Sequence, residues 1–396
     1  MTELPGFDNV VGPATAISRC TFCHDQCMSA TPEAIFTGNQ RHVVSRVANR
    51  IRQLHAQELG WTTEESRALF GGLTSGLQGQ YCIYLDGSQR IEPYLYEARR
   101  EAVERGLAPA EVASYAENVQ ATGNELGTPS SPLTARPSWN GTSEDGAPTR
   151  GAPVTVRLVG GQAARELDPD GWGAALLLLG QGAVAVALGS SGYVEYTLGL
   201  RDLARRAARR AARALEETPP AGPLVTTDPA LAFAARSFWP SLGVTLTSPV
   251  VTMVEYLEGR LSGTGALACS SWEGPDKPTG AVTYHDPGVL ARGLGVTEAP
   301  RRLLARTGAT LAEPYASGAR AGDDGAYPGY PFPEVAARVS SARAEELEAT
   351  GANVVVTASP WALANLRAAT LLPVVDICAF VASTGLAPGE GPSGHG

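Results

Sequence analysis

The chain lacks the features that would place it across a membrane, on nucleic acid or in an oxidising compartment. Its 31 basic residues are outnumbered by 40 acidic ones, for a formal net charge of −9, and a surface of that sign repels a phosphate backbone. No apolar run reaches the roughly 20 residues that span a bilayer. Ala174–Leu188 is short and broken by Gln181, and the stretch from Leu371 to Leu386 carries Asp376; both read as buried strands and helices. The first residues show no charged segment, apolar core and small-residue cleavage site in succession, so the expected location is the cytoplasm, with thiols reduced. A dinucleotide fingerprint is missing as well. Gly180, Gly182, Gly189 and Gly192 have neither its spacing nor an acid at the right distance beyond.

Sulfur is scarce, with six cysteines in 396 residues, but it is not scattered. Cys20, Cys23 and Cys27 form a CxxCxxxC group, and Cys82 is the candidate fourth ligand. Thiolates so close in sequence suit an iron-sulfur cluster or zinc, both of which take soft sulfur donors. A four-cysteine zinc site usually shows two CxxC pairs, whereas the second half here is a single cysteine, so one [4Fe-4S] cluster is the expectation and zinc the alternative. His24, inside the group, is read as hydrogen-bonded or solvent-facing. Cys269 and Cys378 stand alone in apolar surroundings and read as small core residues.

With 43% hydrophobic residues over this length, the chain has material for two or three domains. The expected fold class is α+β and multidomain: a helical segment over 1–122, a linker rich in Gly, Pro and Ser over 123–152, α/β units over 153–262 and 263–387, and a tail over 388–396. Helical spacing runs through Arg41–Leu59 and Ile91–Arg105, with Cys82 between them. Val154–Val159 reads as a strand, Leu176–Leu179 and Val184–Leu188 as further apolar runs, Arg201–Glu217 as a helix and Leu224–Thr227 as a strand. The order recurs in strand Ala281–Tyr284, helix Glu334–Thr350, strand Val354–Thr357 and helix Trp361–Ala369, which suggests two units in tandem. In Arg201–Glu217, leucines and alanines alternate with arginines as on an amphipathic helix with a solvated charged face.

In the second unit, Thr283-Tyr284-His285-Asp286-Pro287, Ala299-Pro300-Arg301, Pro333-Glu334-Val335-Ala336, Thr350-Gly351-Ala352 and Thr357-Ala358-Ser359-Pro360 resemble the cysteine-rich CCG domain of heterodisulfide reductase and of glycolate oxidase iron-sulfur subunits. The first unit resembles the other copy of that domain through Ser190-Ser191-Gly192, Gly199 and Thr227-Asp228-Pro229. The segment around the N-terminal cysteines, with Pro93 to Pro109 after them, is similar to the family's helical ferredoxin domain. The resemblance implies an electron-transfer subunit that works in a hetero-oligomer with a flavin- or cluster-containing dehydrogenase. This chain departs from it in sulfur content. The positions matched to family cysteines are Gly288, Ala321, Gly322, Ser359 and Ala362 in one unit and Ser190, Ser191, Asp228 and Leu231 in the other, so both units are expected to be scaffolds without clusters. His285 and Asp286 read as a strand-end turn, and Asp323 and Asp324 as a solvated loop.

Overall fold

The computed structural model describes residues 16–21, 23–25, 27–82, 91–128, 156–180, 183–217, 222–262 and 280–384. Helices α1 (Ala16–Thr21), α2 (Pro32–Thr37), α3 (Val44–His55), α4 (Thr63–Phe70), α5 (Leu77–Gln80), α6 (Glu92–Glu104) and α7 (Ala110–Thr122) account for the first part, which has no strand among its described residues. The amphipathic pattern expected over Arg41–Leu59 becomes α3, which buries Val47, Ala48, Ile51 and Leu54. The pattern over Ile91–Arg105 becomes α6, with Pro93 in its first turn, where the missing N–H costs nothing.

Two parallel sheets follow. The first comprises β1 (Val156–Gly160), β2 (Ala183–Ala187), β3 (Leu224–Thr226) and β4 (Val250–Thr252) in the order β2-β1-β3-β4. Its connections include α8 (Gln162–Glu166), α9 (Pro169–Leu179), α10 (Tyr193–Thr197), α11 (Arg201–Glu217), α12 (Pro229–Phe233) and α13 (Trp239–Ser241), and α14 (Met253–Ser262) follows β4. The second sheet has β5 (Val282–Tyr284), β6 (Val354–Thr357) and β7 (Val374–Asp376) in the order β5-β6-β7, with α15 (Glu298–Arg306), α16 (Pro333–Glu348), α17 (Pro360–Ala369) and α18 (Ile377–Ser383) around it. Buried β-branched runs such as Val354-Val355-Val356 form these strands because helices cover both faces of a parallel sheet.

A lone parallel bridge between Val282 and Leu311 extends the likeness of the two units. With Leu311 counted in the place of β2, both sheets share one strand order, and each has a long helix, α11 or α16, leading into the next strand. Ser190-Ser191-Gly192 follows β2, and Asp323-Asp324-Gly325 follows Leu311. Both glycines have positive φ, +79° and +122°. The pair that corresponds topologically to Ser190 and Ser191 is thus Asp323-Asp324, two residues beyond the Ala321-Gly322 suggested by sequence.

Two apolar cores tie the parts together. One joins Ile51, Leu69, Phe70 and Tyr115 of the N-terminal helices to Tyr193, Leu203, Phe238 and Trp239 of the first unit. The other is shared by the two sheets, with Leu158 and Val225 of the first unit and Tyr284, Val356 and Phe380 of the second.

Some expectations need revision. Leu176–Leu179, read only as an apolar run, is the last turn of α9: Asp168 caps the helix through the Gly171 N–H at 3.0 Å, and Pro169 starts it. Leucine continues such a helix readily once it is nucleated. The segment read as a linker is packed over its first residues, where Asn124 and Glu125 are buried; 129–155 lies outside the described residues, as do the tail from 385 and Cys269. On α11, Leu203, Ala207, Ala211 and Leu215 face inward while Arg206, Arg209, Arg210 and Arg213 are exposed, as the pattern predicts.

Candidate metal centre

Cys20 lies in the last turn of α1, which packs against α3. The chain then turns, with the Cys23 N–H donating to the Cys20 carbonyl at 3.1 Å, and passes Asp25, whose φ of +58° is one of two positive values for non-glycine residues among those described. Cys27 precedes the short 3-10 turn Met28–Ala30, and its carbonyl accepts from the Thr31 hydroxyl at 3.0 Å. Cys82 arrives from the other side, just past α5, its N–H donating to the Gly79 carbonyl at 3.3 Å. The four sulfur residues, brought in by α1, the following turn and α5, line a single small cavity together with Asp25, Val44 and Ser45.

The electrostatics of this pocket oppose free thiolates. Burial, then repulsion from Cys27, Cys82 and Cys23, pushes the Cys20 thiol up to about 12. Burial, then Cys23 and Cys82, pushes Cys27 up to about 11. A cationic centre bound in the pocket offsets this and stabilises Cys20 and Cys27 as thiolates. The Ser45 hydroxyl is buried and without a hydrogen-bond partner in the same pocket, so it is free to donate to an inorganic or cysteinyl sulfur. In donor type, four cysteine sulfurs match what a cluster ligated by four thiolates takes. As the side chains stand, no three His, Cys, Asp or Glu among the described residues are grouped closely enough to hold a metal ion, so the four cysteines share a pocket without forming a preassembled site. His24, inside the CxxCxxxC group, is exposed.

Sequence reasoning gave the four cysteines but not Ser45 or Asp25. Ser45 enters only through the packing of α1 on α3, and Asp25 through its turn conformation, neither of which has a signal in sequence spacing.

Apart from the half-buried Gly322, the positions where the resemblance would put cysteine are buried, and Asp228 and Ser359 cap helices. The Ser191 hydroxyl accepts from the Tyr193 N–H at 3.2 Å, Asp228 from Ala230 at 2.9 Å and Ser359 from Ala362 at 3.4 Å. Ser, Asp and Thr are the residues that satisfy the free N–H groups of a first helical turn, so these positions have a structural occupation that needs no sulfur. Cys378 is buried at the start of α18. His285 and Asp286 do end β5, and Asp286 makes a two-pronged ion pair with Arg301, both contacts at 2.8 Å, while accepting from the Gly318 N–H at 2.7 Å. Asp323 and Asp324 are not a solvated loop. Asp323 is buried against Arg292 and the Ser75 hydroxyl, the latter at 2.7 Å, and Asp324 contacts Asn365 and His285.

No protein-family model matches the chain, and no curated protein does. Among solved structures, a hypothetical protein from Helicobacter pylori superposes with a TM-score of 0.51 over 89% of this chain and 67% of that one, at 10% identity. A putative Asp/Glu racemase from Yersinia pestis gives a TM-score of 0.26 at 14% identity over 58% of this chain and 96% of that one. The first likeness bears on fold alone and agrees with a mixed architecture of helices and small parallel sheets. No helix among the described residues is long and apolar enough to cross a membrane.

Proposed function

We propose that this protein is an iron-sulfur electron-transfer subunit, holding one [4Fe-4S] cluster on Cys20, Cys23, Cys27 and Cys82. The observation that carries the reading is the meeting of these four residues in one pocket, although 54 residues separate Cys82 from Cys27. When bound, a cubane with four thiolate ligands supplies one-electron, outer-sphere transfer and has no open iron for a substrate. The chain's own part is to hold and shield that group. Val44 walls the pocket with hydrocarbon, Ser45 offers a hydroxyl donor, and α1 packed on α3 fixes the position of Cys20.

Electrons then come from and go to other polypeptides. Met28 and Ile35, on the segment that follows Cys27, are 48% and 53% exposed, and such large apolar side chains in water near a redox centre suit a docking partner. By its resemblance to heterodisulfide reductase and glycolate oxidase iron-sulfur subunits, that partner is a flavin- or cluster-containing dehydrogenase. The α/β units serve as scaffold, since capped helices and valine-rich strands keep the fold without cysteine.

Anaerobic purification tests the reading. The protein should be brown, with broad visible absorption that bleaches on addition of dithionite; a colourless protein carrying zinc refutes it.

A further inference from the structure

A second cavity lies where the N-terminal helices meet both α/β units. Its walls come from the α4–α5 connection and Arg99 of α6, from α10, and from the Asp323–Tyr330 segment with Trp361 and Asn365 of α17. It encloses about 60 Å³, enough for roughly four water molecules at the ~15 Å³ that one requires.

Most buried charge here is matched inside the protein. Asp323 is paired with Arg292, and Arg343 with Glu346 at 2.6 Å. Two charges are treated differently. Arg99 is 2% exposed, and its three hydrogen bonds all end on backbone carbonyls: Leu69 at 2.9 Å, Thr197 at 2.9 Å and Gly72 at 2.7 Å. A guanidinium has five N–H groups, so two remain for another acceptor. Glu33 is the acid on the same side, and it and Arg99 each lie about 4 Å from where a Cβ on Gly72 would stand. Burial pushes Glu33 up to about 8, so at neutral pH it is mostly uncharged and leaves the Arg99 cation without a full counter-charge.

The opposite charge is on Asp324. Burial alone would raise its carboxyl, but the interaction with the neighbouring His285 and the Asn365 hydrogen bond outweigh that and hold it below the usual range. The Arg343 Nε–H donates to His285 Nδ1 at 3.1 Å, so the imidazole proton lies on Nε2, which faces Asp324 Oδ1 at 3.4 Å. Tyr193, Tyr327 and Trp361 complete the wall; the two tyrosine rings lie 5.1 Å apart and Tyr327 meets Trp361 edge-on at 5.6 Å. Aromatic faces beside a carboxylate attract an ammonium group.

We propose that this cavity binds a small zwitterionic amino acid, its carboxylate on Arg99 and its ammonium between Asp324 and the Tyr193, Tyr327 and Trp361 rings. The ligand brings a carboxylate for the two N–H groups that Arg99 leaves over and an ammonium for Asp324 and the aromatic faces, and the free space limits it to about the size of glycine or alanine. This site is separate from the cysteine pocket and does not depend on the cluster reading.

Isothermal titration of the full-length protein, as purified with its metal content, tests the proposal. Glycine or alanine should bind at least ~10-fold more tightly than acetate or methylammonium, each of which carries one of the two charges, and phenylalanine should be excluded by size. Asp324→Asn should weaken glycine binding at least ~10-fold while circular dichroism and visible absorption stay unchanged. Acetate binding as tightly as glycine overturns the proposal, and so does the absence of binding by both glycine and alanine at millimolar concentration. Because the ligand comparison uses the unaltered chain, it decides the matter even if Asp324→Asn does not fold.

Discussion

Asp168 and Asp376 meet carboxyl to carboxyl where α9 of the first unit packs on α18 of the second. Each caps a helix with one oxygen, Asp168 accepting from Gly171 at 3.0 Å and Asp376 from Cys378 at 2.7 Å, and the two carboxyls crowd together beside Gly171, with Asp168 Oδ2 buried and without a donor. A Cβ on Gly171 would stand 2.1 Å from one Asp168 oxygen and 2.7 Å from the Asp376 carboxyl carbon, so only glycine leaves room for the pair. Two carboxyls buried this close together favour the protonated form of at least one of them. Burial first, then the Asp376 charge, raises Asp168 well above the ordinary carboxyl value, and burial raises Asp376.

This pair makes folding stability depend on pH. Both groups are raised on folding, so the stability they confer is fully present below the unfolded-state value near 3.8 and is lost as pH rises through the folded-state values. Asp168→Asn keeps an oxygen for the Gly171 N–H and supplies a fixed N–H donor to Asp376. Urea unfolding should show the variant more stable than the parent at pH 8 by roughly 1 kcal/mol or more, with the difference vanishing near pH 4. An unchanged pH dependence would mean that the pair holds no proton.

Arg292 anchors the second unit to the N-terminal helices. It pairs with Asp323, donates to the Ser75 carbonyl at 2.7 Å and to the Ala321 carbonyl at 2.8 Å, and is 3% exposed. Arg292→Met leaves the Asp323 carboxylate buried without its cation, a change that typically costs ~3–5 kcal/mol. The double variant Arg292→Met, Asp323→Ala removes that charge too and should recover part of the loss in chemical denaturation. No recovery would show that backbone hydrogen bonds, not the ion pair, make the joint.

Gly199 marks the closest approach of the first unit to α6. Its φ is +79°, and a Cβ there would lie 2.4 Å from the Arg100 nitrogen and 2.5 Å from the Arg99 carbonyl carbon. Both obstacles are backbone and cannot rotate away. Gly199→Ala should therefore destabilise by ~2–4 kcal/mol, combining the left-handed penalty with overpacking, and thermal unfolding measures it. Gly295→Ala, also at positive φ but with open space around the added carbon, should show only the conformational part.

The fold was legible where local pattern and tertiary setting agree. Val354-Val355-Val356 is β-branched and buried on both faces, and α11 separates its leucines and alanines from its arginines so cleanly that spacing alone defines it. Leu176–Leu179 was readable only as an apolar run, because four such residues fit a strand or the end of a buried helix equally well and the deciding cap lies eight residues upstream at Asp168. The candidate site was legible in its sulfurs, since few cysteines limit the combinations. Asp323 and Asp324 were not, because their partners Arg292, Ser75 and His285 are 31, 248 and 39 residues away and leave no trace in nearby sequence.

Quantitative iron and acid-labile sulfide analysis of the anaerobically purified protein, set beside a Cys82→Ser variant, tests the central claim most directly. The parent should carry about four iron and four sulfide per chain, and Cys82→Ser should lose or degrade the cluster while Cys378→Ser leaves the metal content intact. About one zinc per chain without sulfide, or full iron and sulfide retained in Cys82→Ser, would contradict the account.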